Sequence, residues 1–389
     1  MQRILIDISR LFYGRLTGRL LTGIDRVSLE YIRHYAHRAR AVLTLGPFSS
    51  VLSPADSGRA FRLLLDRTGN GAAECLRLIP KAYFRWWMNP DAMECVFFNT
   101  SHTGLDKPGY AARMRRWRVL PVFFVHDLIP MTHPEYCRPG ESERHVKRMR
   151  TAAAAGRGII ANSRHTLEAL GAFAADAGLR LPPTVVAALA PSVPQAKPGP
   201  RPIGAPYFVV LGTIEPRKNH WLLLQVWRRL IEQLGEAAPR LVVIGQRGWE
   251  CENVVDLLER CRALRDFVFE HNTCSDLELA TYLHHAQALL YPSFVEGYGM
   301  PVAEALSLGV PVIASDLPVF REIAADIPEY ADALDGRRWM ELIVDYTGAR
   351  SGRRAAQLAR MEGHRATTWA QHLAVVDDFL RGLSDGSGD

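Results

Sequence analysis

The feature that most constrains the fold is a regular alternation of short apolar runs with helical segments after residue 206. The apolar runs read YFVVLG, LVVIG, FVFE, ALLYPS and PVIAS, and helical patterns separate them. Continuously apolar strands alternating with helices are typical of a parallel sheet covered on both faces. This half is therefore predicted to be doubly wound, with ligands at the carboxyl ends of its strands.

The N-terminal half shows the same alternation less regularly, with strand-like runs RILIDIS, AVLTLG, CVFFNT, PVFFVHD and GIIANS. Between the halves, residues 190–207 carry six prolines and no apolar periodicity, which is typical of a linker. The predicted fold is α/β, with two Rossmann-like doubly wound domains facing a central cleft. The predicted domains are residues 1–193 and 207–365, joined by a linker over 194–206, and a last helix at 366–384 packs back on the first domain.

Composition excludes several classes of protein. Apolar residues make up 48% of the 389, enough for buried cores, but no apolar run approaches the roughly 18 residues of a spanning helix. Asp7 and Arg10 interrupt the region where a signal peptide would be apolar. The six cysteines show no CxxC spacing and the 13 histidines no HExxH, which favours free thiols in a reducing cytoplasm and no metal cofactor. We expect a cytoplasmic location.

Charge is distributed unevenly along the chain. Residues 1–200 carry 28 Lys and Arg against 15 Asp and Glu, whereas residues 201–389 carry 19 against 26. Much of the N-terminal excess lies beside aromatic residues, around Arg85 in one segment and around Trp117 in another. The members of these segments are Lys81, Tyr83, Phe84, Trp86, Trp87, Arg113, Arg115, Arg116 and Arg118.

Three interpretations of these basic, aromatic segments stay open at this point. Cations interleaved with Trp suit an anionic membrane surface, where the rings lie at the headgroups. Nucleic acid could use the same charge, but no recognisable nucleic-acid-reading motif accompanies it. The third interpretation is a solvated basic face over ordinary core aromatics. We expect peripheral contact with the inner face of the plasma membrane, and no nucleic-acid partner.

The segment from Tyr291 to Ile323 carries the most specific motif. Glu296 follows a predicted strand, and Gly297 and Gly299 allow the backbone to approach a ligand closely. Pro301 suits the first turn of a helix, and Glu304 lies one turn further on. Two acids in this arrangement can both face a bound polyol, while free N–H groups at the helix start can meet phosphate oxygens.

A second motif lies between Val209 and Trp221. Here a strand turns through Gly212, and Arg217 and Lys218 stand just before a helix. Two cations at the carboxyl end of a strand form an anion site, in which Arg can make bidentate contacts with phosphate.

Together the two segments resemble the retaining, nucleotide-sugar-dependent glycosyltransferases of family 4 (glycosyl transferases group 1), in particular mannosyltransferases of surface polysaccharides. The resemblance is strongest over Val209 to Ile323 and implies the GT-B fold. In the N-terminal half, LLTGIDRVSLEY resembles the first glycine loop of this family, VHDLIP its central histidine motif and ANSRHT its serine-bearing turn.

The resemblance implies a role for each matching residue. Arg217 and Lys218 would hold the donor diphosphate and stabilise the charge of the leaving nucleotide. Glu296 would contact hydroxyls of the donor sugar, and Glu304 the nucleotide ribose. Backbone amides would complete the sugar and phosphate site; the donor-binding residues around them are Gly297, Gly299, Met300, Pro301 and Val302.

The N-terminal domain would contribute from the other side of the donor. Gly23 would let the first loop approach the donor, and Arg26 follows it on the same helix. His126 would lie near the reacting carbon and orient donor or acceptor. Asp127 and Ser163 are second-rank candidates, and Ser163 is equally well placed to cap a helix.

The sequence also departs from the family pattern. Thr22 stands where the first loop usually has another glycine. After FVFE the chain reads HNTCSD in place of a glycine-containing turn, so the sequence does not distinguish UDP from GDP. There is no Asp-x-Asp pair, which disfavours a metal-bound diphosphate and leaves the positive charge to Arg217 and Lys218.

The predicted function is transfer of a hexose, with retention, from a nucleotide diphosphate sugar to a growing, lipid-linked or oligosaccharide acceptor in surface polysaccharide synthesis. GDP-mannose is the first choice of donor; UDP-glucose, UDP-N-acetylglucosamine and dTDP-rhamnose are alternatives. The alternative functions are transfer to a soluble acceptor and a non-catalytic GT-B binding or scaffold protein.

Overall fold

The structure, a computed structural model, describes residues 3–46, 48–66, 71–85, 94–194, 197–348 and 350–385. Within these ranges the chain divides into two compact units. The first comprises the described parts of Met1–Thr132, Pro139–Leu189 and Trp369–Asp389, and the second those of His133–Arg138 and Ala190–Thr368. The short segment His133–Arg138 thus groups with the second unit, which the sequence did not predict.

The first unit is built on a seven-stranded sheet. Its order is β3-β2-β1-β4-β5-β6-β7, and all neighbours are parallel except β2 and β3. The strands are β1 (Ile4–Asp7), β2 (Ala39–Leu45), β3 (Phe48–Val51), β4 (Val96–Asn99), β5 (Leu120–Val125), β6 (Gly158–Ala161) and β7 (Thr184–Val186). The sequence predicted the five inner strands of this sheet but neither edge strand, β3 or β7.

Helices cover the first unit's sheet, and α2 shows why the sequence forms one there. Thr22 and Asp25 form a capping box at its start, and Val27, Tyr31 and Tyr35 form its buried face. The helices are α1 (Ser9–Thr17), α2 (Gly23–Tyr35), α3 (Pro54–Leu65), α4 (Gly71–Arg85), α5 (Tyr110–Trp117), α6 (Ile129–Thr132), α7 (Glu141–Ala155) and α8 (Arg164–Asp176).

The last helix of the chain, Trp369–Asp385, also belongs to the first unit. It is numbered α16 because seven helices of the second unit precede it. The Tyr31 hydroxyl bonds to Nε2 of His372 at 3.1 Å, and the Tyr35 hydroxyl donates to Asp377 at 2.9 Å. At the sheet, a Cβ on Gly158 would lie 2.8 Å from the side chains of Phe379 and Leu383, so the packing of α16 requires a glycine there.

The second unit is a six-stranded, fully parallel sheet of order β10-β9-β8-β11-β12-β13. Its strands are β8 (Tyr207–Leu211), β9 (Arg240–Ile244), β10 (Val268–His271), β11 (Leu289–Tyr291), β12 (Val312–Ser315) and β13 (Glu329–Ala331). Its helices are α9 (His220–Leu234), α10 (Glu252–Arg260), α11 (Asp276–His285), α12 (Met300–Ser307), α13 (Pro318–Ala324), α14 (Gly336–Thr347) and α15 (Gly352–Met361).

Alternate residues of the central strands fill two separate cores in this unit. Phe208 and Val210 of β8 pack on one face, whereas Tyr207 and Val209 pack on the other. This two-sided burial is the predicted doubly wound arrangement, and it explains why the strands are continuously apolar. Of the helices within the described ranges, none combines the length and apolar character that a bilayer crossing requires.

Candidate active site

The second unit's candidate site lies where the strand order reverses. β8 pairs with β9 on one side and with β11 on the other, so the connections after β8 and β11 leave in opposite directions. Such a switch point opens a crevice at the carboxyl ends of the strands. The chain after β8 carries the 3₁₀ turn Pro216–Lys218, and the chain after β11 carries Glu296.

Lys218 and Glu296 meet at this point as a buried ion pair. The Lys218 ammonium donates a hydrogen bond to Oε1 of Glu296 and another, of 2.5 Å, to the Tyr291 hydroxyl. It also lies 4.7 Å from the centroid of the Tyr291 ring. Lys218 is 8% exposed and Glu296 7%, so both charges depend on each other and on their neighbours rather than on water.

Arg217 joins the same cluster and brings in a residue that the sequence analysis missed. Its Nη1 lies 2.8 Å from Oε2 of Glu296, and its Nε lies 2.6 Å from Oε1 of Glu215. Nη1 also donates to the Val295 carbonyl at 3.3 Å. The cluster therefore contains two cations and two carboxylates, and its formal charges balance.

The electrostatics of the cluster favour an ionised Glu296. Burial opposes ionisation, but Arg217 and Lys218 outweigh it and lower the pKa of Glu296 to about 2. For Lys218, burial and the neighbouring Arg217 lower the pKa of the ammonium, while Glu296 acts in the opposite direction. Each ion thus needs its counterion, and an arriving anion would compete with Glu296 for the two cations.

The turn that presents these cations is fixed by the residue after it. Asn219 has a positive φ of 55° and caps α9, and its side-chain amide donates to the carbonyls of Pro292 and Ala333. Asn tolerates this left-handed conformation better than most residues. Gly212, with φ of 138°, makes the turn out of β8 directly beside the Lys218 side chain.

Gly299, in the Glu296 segment, has a packing role that the sequence did not predict. Gly299 has φ of 108°, and a Cβ there would lie 2.6 Å from the Phe320 ring. The Val302 amide donates to the Gly299 carbonyl and Pro301 has no N–H. Neither Val302 nor Pro301 therefore has an N–H group to offer a ligand. Backbone contacts with a donor would have to come from the amides of Gly299 and Met300.

Glu304 lies one turn into α12 and is 5% exposed, and Gly297 is buried like its neighbours. The structure therefore gathers Arg217, Lys218 and Glu296 into direct contact and places Glu304 on the helix that follows.

The N-terminal candidates lie at the carboxyl edge of the first unit's sheet. His126 directly follows β5, and its Nε2 donates to the Thr100 carbonyl at 2.7 Å. Its own carbonyl accepts from the Asn162 amide at 2.7 Å, which fixes the backbone. Burial is the main cause that lowers the pKa of His126 to about 4, so the ring is neutral near pH 7.

Asp127 and Ser163 have local structural roles at this edge. Oδ1 of Asp127 accepts from the Ile129 amide at 3.1 Å. The Ser163 hydroxyl accepts from the Thr166 amide at 3.0 Å and is the N-cap of α8, which confirms the capping interpretation.

The structure at the start of α2 explains why Thr22 stands where the family usually has a glycine. The Thr22 amide and hydroxyl both donate to Oδ2 of Asp25, while Arg10 and Arg19 bond to Oδ1 of this fully buried carboxylate. A capping box thus stands where the family usually has a flexible glycine. Gly23 is exposed, and a Cβ there would meet nothing within 4 Å. Arg26, three residues on, is half-buried.

Trp117, one of the aromatic residues that we expected at a membrane surface, is buried instead. Trp117 is 3% exposed and packs in the first unit's core, because α5 turns it towards the sheet; that expectation was wrong for this residue. Tyr83 and Phe84 are 50% and 71% exposed. Trp86 and Trp87 lie outside the described residues, as does the side chain of Arg85.

Sequence reasoning missed four residues of these two sites: Glu215, Tyr291, His102 and His145. Glu215 lies two residues before Arg217, between Val209 and Trp221, and its charge was a visible signal. Tyr291 ends an apolar run that predicted only a strand. Within the described part of the chain, no cluster of three His, Cys, Asp or Glu side chains is arranged to hold a metal ion.

Comparison with known proteins defines the class. Residues 195–327 match the model of the family described as Glycosyl transferases group 1. The resemblance inferred from the two motifs is thereby confirmed for the segment that carries them. The fold of the two units is GT-B. An Anabaena protein, HepE, solved in complex with UDP-glucose, superposes with a TM-score of 0.67 at 14% identity, covering 98% of this chain and 100% of its own.

Two curated relatives come from Escherichia coli. The serotype-specific mannosyltransferase WbdA is 28% identical over 234 residues, which are 55% of this chain and 28% of the relative. The O-antigen chain mannosyltransferase B is 36% identical over 129 residues, which are 33% of each chain. This chain therefore spans about a third or less of the length of these relatives.

Proposed function

We propose that the protein is a retaining hexosyltransferase that uses a nucleotide diphosphate sugar and extends a surface polysaccharide. The observation that carries the proposal is the buried cluster of Arg217, Lys218 and Glu296 at the switch point of a group 1 domain. With Glu215, which also pairs with Arg217, the charges of the cluster balance without a ligand, so a diphosphate that displaces Glu296 gains two oriented cations. The released carboxylate can then accept hydrogen bonds from sugar hydroxyls.

The chemistry requires that the bond between the sugar C1 and the phosphate oxygen breaks while a bond from C1 to the acceptor oxygen forms on the same face. The acceptor proton passes to the departing phosphate oxygen. Arg217 and Lys218 stabilise the negative charge that develops on this phosphate, which is the largest contribution expected from the protein. In this scheme the two side chains replace a metal ion, and Glu304 holds the ribose, as the family resemblance implies.

Mannose from GDP-mannose is the donor that we favour, and the names of the relatives WbdA and O-antigen chain mannosyltransferase B support the mannosyl group. The UDP-glucose in the HepE complex supports a nucleotide-sugar donor in general and keeps UDP sugars as alternatives. We place the acceptor, a growing lipid-linked glycan, on the first unit and the enzyme at the inner face of the plasma membrane.

The exposed face of α4 supports the membrane part of this proposal. Leu76, Tyr83 and Phe84 are between 50% and 71% exposed, and they recur along the helix at spacings that share one side. Lys81 on the same helix is bonded to Asp56 at 2.8 Å, so its charge is partly used within the protein. Flotation with anionic liposomes tests the face: Phe84→Asp should abolish binding, whereas Arg59→Asp, on a neighbouring helix, should leave more of it. Flotation that is equal in both variants would contradict it.

A thermal-shift panel of nucleotide diphosphates and their sugars, with and without EDTA, tests the central proposal. A ligand at about 100 times its dissociation constant should stabilise the fold by roughly 2.7 kcal/mol. We expect one nucleotide sugar to respond, without any effect of EDTA, and the response to disappear in Lys218→Ala. If no nucleotide shifts the transition, the protein is not a transferase of this kind and a scaffold role takes its place. A response that EDTA removes would contradict metal independence alone.

A further inference from the structure

The segment His133–Arg138 is a part of the second unit that comes from the first half of the chain. The chain before it, up to Thr132, and the chain after it, from Pro139, belong to the first unit. A short 3₁₀ turn, Pro134–Tyr136, occupies the middle of the segment. No sequence motif predicted this excursion, so its role has to be inferred from its contacts.

Two side chains of the segment pack on loops at the carboxyl edge of the second unit's sheet. The Tyr136 ring stacks on the Phe294 ring, with the centroids 5.5 Å apart and the planes 1° from parallel. The guanidinium carbon of Arg138 lies 5.2 Å from the centroid of the Trp249 ring. Phe294 follows β11 and Trp249 follows β9, and these two strands flank β8. The segment therefore contacts the loops on either side of the Arg217–Lys218 turn.

Phe294 is the side chain through which the loop after β11 can be held from outside. It is half-buried, whereas every other residue from Tyr291 to Gly299 is buried. Parallel rings with centroids 5.5 Å apart form an offset stack, an arrangement that aromatic pairs prefer and that stabilises them beyond the area they bury. Tyr136 therefore restrains the outward side of this loop.

The loop that Tyr136 restrains is bonded to Arg217 through three consecutive residues. The Phe294 amide donates to the Arg217 carbonyl at 2.8 Å. Nη1 of Arg217 donates to the Val295 carbonyl at 3.3 Å and lies 2.8 Å from Oε2 of Glu296. A shift of Phe294 would therefore disturb the backbone of Arg217 and the ion pair of its side chain together.

We propose that Tyr136 is a positioning residue for the donor site. By stacking on Phe294 it holds the loop that carries Glu296, and this keeps Arg217 aligned for a diphosphate, a role that rests on the proposed function. A site whose cations are aligned in advance loses less conformational freedom when a ligand binds, which raises its affinity. Residues 195–327 therefore do not contain the whole donor site.

Nucleotide titrations of the full chain test this role. The probes are GDP and UDP, titrated by isothermal calorimetry well below the thermal midpoint of each variant. Tyr136→Leu removes the ring, Tyr136→Phe keeps it, and Glu135→Gln changes an exposed neighbour. The nucleotide that the wild type binds should bind Tyr136→Leu about three- to tenfold more weakly, and the other two variants within about twofold. Equal affinities of Tyr136→Leu and Tyr136→Phe would overturn the role.

A double substitution separates the stack from independent effects of its two rings. Once either ring is lost, removing the other should matter little. The protein with both Tyr136→Leu and Phe294→Leu should therefore bind within about twofold of the weaker single variant. Losses that multiply would overturn the proposal, because the rings would then act separately.

Hydrogen exchange of the Phe294 amide distinguishes failure of this role from failure of the proposed function, since it needs no ligand. In the free protein this amide should exchange at least about threefold faster in Tyr136→Leu and at the wild-type rate in Tyr136→Phe. Unchanged exchange in Tyr136→Leu would overturn the role. If the wild type binds neither nucleotide, the proposed function is lost and the exchange rates alone decide. Tyr136→Met, which also lacks the ring, replaces Tyr136→Leu if that variant does not fold.

Discussion

The carboxyl edges of the two sheets use opposite electrostatics within the same architecture. At the second unit's edge, Arg217 and Lys218 are held by Glu215 and Glu296 in a cluster of full charges. At the first unit's edge, the neutral histidines His102, His126 and His145 direct their N–H groups to backbone carbonyls. The parallel strands position both sets, but the residue types differ in what they can bind.

The difference determines what each edge is suited to bind. Charged groups that are paired in advance suit a charged ligand that exchanges with a counterion, and breaking one pair leaves a buried charge unpaired. Neutral acceptors suit hydroxyl groups, and losing one removes a single hydrogen bond. Substitutions within the charged cluster should therefore cost stability and activity together.

Replacing Lys218 should produce the largest effect. Lys218→Ala removes a cation expected on the leaving phosphate and deprives Glu296 of one partner, so kcat/KM should fall roughly 10²–10³-fold. Steady-state kinetics below the variant's thermal midpoint measure this. Arg229→Ala, which removes an exposed cation from α9, is the matched control and should stay near the wild-type rate. A Lys218→Ala enzyme with the wild-type kcat/KM would contradict the charged-edge assignment.

The charged edge should also make stability depend on pH. The pKa of Glu296 is lowered from its ordinary 4.5 to about 2, so its contribution to stability is present above pH 4.5 and is lost as the pH falls through 2. The loss should reach about 3 kcal/mol. Denaturant unfolding between about pH 6 and pH 2 should show a flatter profile for Glu296→Gln than for the wild type. Glu232→Gln, at an exposed site on α9, should follow the wild type; identical profiles for all three would refute the pairing.

A pair of glycine substitutions compares the units at their helix starts. Gly299→Ala forces a side chain onto a φ of 108° and against Phe320, so unfolding should become easier by about 1–3 kcal/mol. Gly23→Ala meets open space at the start of α2 and should change stability by about 1 kcal/mol or less. If Gly23 lets the first loop approach the donor, its variant should instead raise the donor KM. Equal thermal midpoints for the two variants would contradict the packing role of Gly299.

The smallest expected effect concerns the capping box. Thr22→Ala removes the hydroxyl that joins Asp25 at the start of α2 and should destabilise the fold by about 1 kcal/mol. Thr22→Gly, which restores the residue usual in the family, should cost only a few tenths as a cap. Chemical unfolding of both variants measures the difference. A more stable Thr22→Ala protein would show that the cap is unimportant.

The sequence predicted the second unit well because its signals are local. Runs such as YFVVLG lie in fully buried parallel strands, and the switch point follows from the order of such strands. The strands it missed, β3, β7 and β13, lie at sheet edges, are three or four residues long and carry few apolar side chains. Such strands have little periodicity to detect.

The sequence predicted the site residues that lie in motifs of charged residues and glycines. It did not predict residues that come together only through the tertiary structure. Arg217, Lys218 and Glu296 lie in recognisable motifs, and the structure adds that they contact one another. His102 and His145 are 43 residues apart, and only the folded sheet and α7 bring their rings together. Trp117 was misjudged because neighbouring arginines dominate the sequence, whereas the side of α5 on which it lies determines its burial.

The return of α16 to the first unit has a consequence for the growing chain. The packing partners of Tyr31, Tyr35 and Gly158 lie on Trp369–Asp385. The ribosome must synthesise residues 190–368 after the first unit's sheet and before this helix. At translation rates of about 5–20 residues per second, that delay is roughly 10–40 s. Throughout this interval the first unit's sheet is missing one covering helix, and by its end the second unit has every strand it needs. The half that is synthesised second is thus the first that can finish folding.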